Sequence, residues 1–199
     1  MTTNQGTYSI GDRAGLLWTW WKGDALPVLP PLPDFSVERA ANLEELAFMM
    51  ETTQDEVLKL RQVGHEPYLA RIGAHAVAVG WSATGKAAFG GGLITFQVPP
   101  QNRYLYYFIT LPAWRGHGIY PRLLQYILRH ECATNERFWI IHQAANLASQ
   151  RGIERAGFQL TSAVHFLDTG GLGLLTTKEN KERALTGAAL FGLPLIESR

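Results

Sequence analysis

The stretch Phe108-Ile109-Thr110-Leu111-Pro112-Ala113-Trp114-Arg115-Gly116-His117-Gly118-Ile119-Tyr120-Pro121 constrains this chain more than any other part of it. Arg103 to Leu111 is rich in aromatic and β-branched residues and reads as a strand. From about Tyr120 to Cys132, the residues Leu123, Leu124, Ile127 and Leu128 recur at helical spacing on one face. A strand that feeds a glycine-bearing loop at a helix N-terminus gathers unpaired backbone N–H groups and the positive end of the helix dipole. Such a junction is a phosphate or pyrophosphate site. Gly116 and Gly118 let the backbone approach an anion where a Cβ would obstruct it. Pro121 suits the first helical turn, because the N–H it lacks would have had no intrahelical partner. The donors therefore come from residues around 116–120 and 122. Other phosphate loops fail on spacing. No Gly-x-x-x-x-Gly-Lys-Ser/Thr string occurs, and position 121, where a dinucleotide fingerprint needs its third glycine, is proline. Taken alone, Arg-Gly-x-Gly also fits a plain surface turn, so its neighbours have to decide.

The neighbours alternate between helix and strand patterns. Phe35 to Ala40 reads as a strand, and Asn42 caps a helix carrying Leu43, Leu46, Ala47 and Met50. A second helix runs from about Thr53 to Val63, ended by Gly64. Pro67–Ile72 and His75–Ser82, joined by Gly73-Ala74, form a hairpin, and Leu93–Val98 follows as a strand after three glycines. Phe138–His142 is a continuous apolar run, as expected of a strand buried on both faces. Asn146 caps a helix that ends at Ala156, with Gly157 as its left-handed stop. A strand near Val164–Leu167, a Gly-rich loop at 170–173 and a helix around Glu179–Phe191 complete the chain. Residues 1–34 read as an N-terminal extension, with Trp18, Trp20 and Trp21 followed by Pro27, Pro30, Pro31 and Pro33. That proline density predicts an extended arm wrapping the domain, its tryptophans either anchoring it or meeting a second subunit. Residues 35–199 form the single domain that 199 residues can bury well.

Bulk properties narrow the class. A formal charge of +1 lacks the basic excess of a dedicated nucleic-acid binder. The one cysteine, Cys132, excludes an internal disulfide, and the six histidines show no paired metal-ligand spacing, so no metal is expected. The apolar run Leu16–Trp21 stops at Lys22, far short of a membrane span, and the polar N-terminus lacks a leader pattern. A cytoplasmic location without membrane attachment is the expectation.

Two blocks together resemble the GNAT family of N-acetyltransferases. Phe108 to Ile119 resembles that family's strand-four-to-helix-three segment, whose loop reads Arg/Gln-x-x-Gly-x-Gly/Ala. About thirty residues further on, Asn146-Leu-Ala-Ser149-Gln-Arg151-Gly-Ile-Glu-Arg-Ala-Gly157-Phe158 resembles its Asn-x-x-Ser/Ala…Gly-Phe helix. The resemblance extends over about 35–168. It implies an α/β (α+β) fold, with a mixed, mostly antiparallel sheet that splays open between its fourth and fifth strands and is flanked by helices. It implies acetyl-CoA as acyl donor, held by Ile109 and Thr110 along the strand, by Arg115, Gly116, His117, Gly118, Ile119 and Tyr120 at the loop, and by Asn146 and Ser149 opposite. It implies direct acetyl transfer to a small-molecule or peptide amine, with subunit pairing common among such enzymes.

For catalysis, a backbone N–H near Thr110 is the expected oxyanion donor. Ser149 matches the hydroxyl position in the Asn-x-x-Ser branch and is the candidate acid, although it can equally only support the helix start. His142, or Glu66 through water, is the candidate base; His142 also reads as a satisfied strand-end histidine. Tyr104 and Tyr106 are expected to wall the acceptor pocket, or else to be core. Cys132 lies too far along its helix for an acyl-enzyme. The chain departs from the family pattern twice. Tyr120 stands where Gly or Ala is usual, and Ile153 where many members carry a tyrosine acid. These departures leave open a second reading, a CoA-binding sensor or scaffold without turnover.

Overall fold

The computed structural model describes residues 10–176 and 178–197. A nine-stranded sheet carries two helical layers. The strands, in chain order, are β1 (Ile10–Trp21), β2 (Phe35–Arg39), β3 (His65–Ile72), β4 (His75–Ala83), β7 (Asn102–Thr110), β8 (Arg137–Gln143), β9 (Gln159–Leu167), β10 (Leu172–Thr176) and β11 (Leu195–Glu197). Two more, β5 (Gly85–Phe89) and β6 (Ile94–Val98), form a separate hairpin. Across the large sheet the order is β11-β10-β9-β1-β8-β7-β4-β3-β2. Among the described residues, only the β7–β8 and β10–β11 pairs are parallel, so the sheet is mixed and mostly antiparallel as expected.

The helices are α1 (Leu43–Met50), α2 (Gln54–Gln62), α3 (Ile119–Glu131), α4 (Leu147–Ala156) and α5 (Lys181–Phe191). The first two begin where the sequence puts their caps: Asn42 accepts from the N–H groups of Glu44 and Glu45, and Thr53 from that of Glu56. One face of the sheet buries α3 and α4 on Trp18, Tyr68, Leu105, Phe138 and Ile140. The other face is covered in two halves. α1 and α2 pack on Leu69, Val79 and Trp81, while α5 and the β5–β6 hairpin pack on Leu17, Tyr104 and Trp139.

The N-terminal segment differs from the expected wrapping arm. Residues 10–21 are an interior strand, antiparallel to β8 from Gly15↔Gln143 to Trp21↔Arg137 and antiparallel to β9 on its other side. The prolines that argue against a central strand all lie after residue 26, in the connection to β2, and none interrupts 10–21. Trp18 and Trp20 are buried in the domain's own core, so they anchor the segment. The proline-bearing connection does run over the outside. It is tied to α3 by hydrogen bonds from Gln125 to the Pro27 carbonyl (2.8 Å) and from Arg122 to the Pro30 carbonyl. β5, β10 and β11 are further strands beyond those read from the sequence.

Candidate active site

The site begins with a separation of strands. β7 and β8 pair only at Asn102↔Arg137, Arg103↔Phe138 and Tyr104↔Trp139. The closed end is pinned by the Trp139 indole, which donates to Asn102 Oδ1 at 2.8 Å in a buried contact. Beyond Tyr104 the edge of β7 facing β8 has no strand partner among the described residues, while its other edge still pairs with β4. In that stretch β7 carries a bulge. Trp81 pairs with Tyr106 and Val79 with Ile109, so Gly80 opposes two residues, one of them Tyr107 with φ of 54°. A left-handed tyrosine is strained, and bulges of this kind re-aim side chains beside functional sites. Here the bulge turns Phe108 toward the α3 and α4 face.

Between the free stretch of β7 and the first turns of α3 and α4 lies a cleft of about 630 Å³. Ile109, Thr110, Arg115, Gly116, Gly118, Ile119, Tyr120, Asn146 and Ser149 all line it, which brings together most of the expected site. α3 starts from Gly118, whose φ of 70° is left-handed and favours glycine. Among the described residues, no loop hydrogen bond consumes the N–H groups of Gly116, His117 or Gly118. The first N–H groups of α3 have no intrahelical carbonyl to bond. Asn146 caps α4 by accepting from the Ser149 N–H at 3.0 Å. This uses the backbone of Ser149 and leaves its hydroxyl without a hydrogen bond among the described residues.

The cleft is also cationic. Arg115, Arg151 and Arg155 line it, and Arg122 lies beside Arg155, donating to the Gly118 carbonyl at 2.6 Å. None of the four forms an ion pair among the described residues. Burial and the nearby Arg155 both lower the Arg122 pKa. Guanidinium groups gathered without carboxylates, beside unpaired N–H donors, form a site for a polyanion. The roles of Arg151 and Arg155 go beyond the sequence reading; their i,i+4 spacing on α4 was the available signal.

Tyr120 resolves one departure from the family pattern. Its ring lies 5.0 Å from that of Phe108 and packs directly on Gly152 of α4. A Cβ at Gly152 would stand 2.4 Å from Tyr120 Cδ1, so a glycine there makes the room that the tyrosine needs. The ring thus forms one wall of the cleft, and burial pushes its phenol pKa up, keeping it protonated. Gly152→Ala is expected to drive the ring into the cleft and weaken acetyl-CoA binding about tenfold, as read by calorimetry. Adding Tyr120→Ala should restore most of the loss. A single variant with unchanged affinity would separate this wall from binding.

Other expected residues lie elsewhere. His117 is exposed, with its ring edge toward Trp114 at 6.4 Å, outside the cleft lining. His142 also stays outside the lining. It stacks on Trp18 at 6.2 Å, its Nδ1 is 2.8 Å from the Gln143 carbonyl, and its Nε2 is buried without a partner. Burial lowers its pKa, so it is a neutral, packed histidine. Glu66 is engaged by Arg39. Ile153 is fully buried in the core under α4. Tyr104 and Tyr106 lie on the opposite face of the sheet, stacked at 5.9 Å. Among the described residues, no group of three or more His, Cys, Asp or Glu gathers for a metal, and no helix is long and apolar enough to cross a membrane.

Known proteins bear on the family and the fold. The family model for the acetyltransferase (GNAT) family matches residues 41–158. No curated protein matches the chain in sequence. Among solved structures, it is similar to a GCN5-related N-acetyltransferase from Kribbella flavida, with 18% identity and a TM-score of 0.56 over 82% of this chain and 61% of that one. It is also similar to a GCN5-related N-acetyltransferase from Sphaerobacter thermophilus, with 16% identity and a TM-score of 0.55 over 79% and 50%. A third, a GNAT-family acetyltransferase from Colwellia psychrerythraea, has 15% identity and a TM-score of 0.51 over 78% and 54%. The chain therefore spans between about half and three-fifths of the length of these structures, and at such identities they show the fold alone. The match of the family model to more than half of the chain, over the splayed strands and both signature blocks, places this protein in the GNAT acetyltransferase family.

Proposed function

We propose that the chain transfers an acetyl group directly from acetyl-CoA to an amine. The observation that carries this reading is the cleft itself: an unpaired strand edge leads to a loop of free N–H groups beside four arginines without carboxylate partners. An extended chain of amides, such as a pantetheine arm, can add to the free edge of β7 near Ile109 and Thr110 as a strand would. A pyrophosphate suits the loop 115–120, where donors and helix dipole converge. Arg122, Arg151 and Arg155 would take the remaining phosphate charge.

Chemistry then falls at the wedge between β7 and β8, where the thioester carbonyl would meet a backbone N–H of β7 near Thr110. The amine attacks that carbonyl and the C–S bond breaks; the nitrogen gives a proton to water, and the thiolate takes one from a side-chain donor that water reprotonates. Ser149, with its hydroxyl uncommitted on the α4 wall, is the proton donor of this reading. With Ile153 buried as core, no tyrosine stands at that point of α4 to compete. His142, stacked and outside the cleft, is not used as the base.

Ser149→Ala is expected to lower kcat about tenfold to a hundredfold while leaving acetyl-CoA affinity within about twofold, because general acid catalysis acts in the transition state. Thiol release with acetyl-CoA and a panel of amines measures it. The competing reading, a CoA-binding module without turnover, predicts saturable binding and no thiol release with any amine.

A further inference from the structure

At the closed end of the wedge one indole carries two guanidinium groups, and the two are differently placed. Trp21, the last residue of β1, has the Arg183 guanidinium of α5 at 4.6 Å from its ring centre and that of Arg137 at 4.7 Å. Arg183 is fully engaged. It donates twice to Asp24, at 2.7 and 2.8 Å, and Asp24 is held in turn by the Trp21 N–H at 2.8 Å. Arg137, the first residue of β8, makes no side-chain hydrogen bond or ion pair among the described residues. A guanidinium stacked on an aromatic ring keeps its N–H edge free, and that edge fits a carboxylate with two parallel hydrogen bonds.

Arg137 lines a pocket of about 190 Å³ that shares no residue with the cofactor cleft. Lys22, Gln101, Asn102 and Glu136 line it as well. The turn on one side closes by the Asn102 N–H on the Pro99 carbonyl at 3.1 Å, with Gln101 at φ of 60°. Such a turn position favours glycine or asparagine, so a glutamine is held there against strain, and strain of this kind gathers at functional sites. The Gln101 amide makes no hydrogen bond among the described residues. Asn102, by contrast, is committed to the Pro100 carbonyl and to the Trp139 indole. Lys22 meets Glu136 only at 3.5 Å, and both side chains are about half exposed. Two cations and one anion thus line the pocket, which leaves one positive charge for a ligand. Its volume is that of about six waters, which limits the ligand to about as many heavy atoms.

We infer that this pocket binds a small monocarboxylate, held by the guanidinium edge of Arg137 with Lys22 and the Gln101 amide beside it. The ligand's carboxylate does for Arg137 what Asp24 does for Arg183. A neutral amide of the same shape would leave the guanidinium without its counter-charge, and a dianion would exceed the one charge on offer. Arg137 pairs with Trp21 of β1 and with Asn102 of β7, so the site lies where the wedge is closed. It is a second site, and it does not depend on the acetyltransferase reading.

Butyrate, a carboxylate of that size, is the probe, and butyramide is its neutral counterpart. Both are titrated into the full ¹⁵N-labelled chain at constant ionic strength. Butyrate should saturate with a Kd of about a millimolar, and butyramide should bind at least about tenfold more weakly. The signals that move should be the amides of Gln101, Asn102 and Glu136 and the Nε–H of Arg137. Arg137→Gln should weaken butyrate at least about tenfold, and Arg137→Lys, a cation without the planar fork, about fivefold. Thermal melts verify the fold, and if Arg137→Gln does not fold, Arg137→Lys and butyramide decide. Equal binding of butyramide, wild-type affinity in the folded variants, or no saturation by about 20 mM butyrate would overturn the inference. Shifts centred on Gly116 to Tyr120, or displacement of butyrate by acetyl-CoA, would assign the carboxylate to the cleft arginines and overturn it as well. None of these outcomes counts against the acetyltransferase reading.

Discussion

Gly118→Glu should remove measurable acetyl-CoA binding from a chain that remains folded. Gly118 begins α3 with φ of 70°, a conformation that costs a residue with a Cβ about 1–3 kcal/mol. Any Cβ there would stand 2.5 Å from the Arg122 guanidinium and 3.7 Å from that of Arg155. Both contacts are with ends of flexible side chains, so the fold can adjust. The charge cannot be accommodated so easily. A glutamate at 118 would place a carboxylate among arginines that have no other acidic partner, and would take the charge meant for phosphate. It would also set a negative group at the helix N-terminus proposed to hold the pyrophosphate. The affinity should fall at least about a hundredfold, close to 2.7 kcal/mol. Calorimetry reads the loss, and circular dichroism with thermal melting verifies the fold. A folded variant with wild-type affinity would remove the loop from the binding site.

The second large effect concerns stability. A chain beginning at Lys22, without β1, should fail to fold cooperatively. β1 lies between β8 and β9, and its removal leaves β8 without its antiparallel neighbour and cuts β9, β10 and β11 off from the rest of the sheet. It also takes Leu17, Trp18 and Trp20 out of the two cores on either side of the sheet. Trp18→Ala alone should cost about 3–5 kcal/mol, the usual penalty for truncating a large aromatic in a packed core. That is a large share of the stability of an ordinary domain. Denaturant melts of the point variant, and solubility and melts of the truncation, measure both. A truncated chain that melts cooperatively at the wild-type temperature would show β1 to be dispensable.

The contrast between those two predictions shows what was legible in the sequence. The cofactor loop is local: strand, glycines and helix lie within about twenty consecutive residues, and each carries its own signal. The cap at Asn146, the left-handed stop at Gly157 and the hairpin around Gly73 are local in the same sense, and the structure has all of them. β1 is different. Its residues alternate poorly because both faces are buried, and its partners are more than a hundred residues away. Nearby prolines then gave a local signal for an arm that applied only to the connection after it. Periodicity cannot say which strands a segment will join, and the expected extension became the middle of the sheet.

Side-chain roles show the same division. Most residues expected on the cofactor side, His117 excepted, line one cleft because a backbone motif places them. His142 sits at the right end of the right strand, yet it points to Trp18 under the α3–α4 layer, which strand alternation alone leaves open. Arg137 carried no signal, because its setting depends on Trp21 and Asn102, each supplied by a different strand. Tyr120 looked like an obstacle at a position for small residues. Gly152, in another helix, is what makes it fit.

The central claim is that the cleft between β7 and α4 holds acetyl-CoA. A titration of ¹⁵N-labelled protein with acetyl-CoA, followed by amide NMR, tests it most directly. The prediction is saturable binding, with the largest shifts at Ile109, Thr110, Gly116 to Tyr120 and Ser149 to Gly152, and with Gly73 and Gly192 unmoved. Saturation with shifts centred elsewhere, or no shift at millimolar acetyl-CoA, would contradict it.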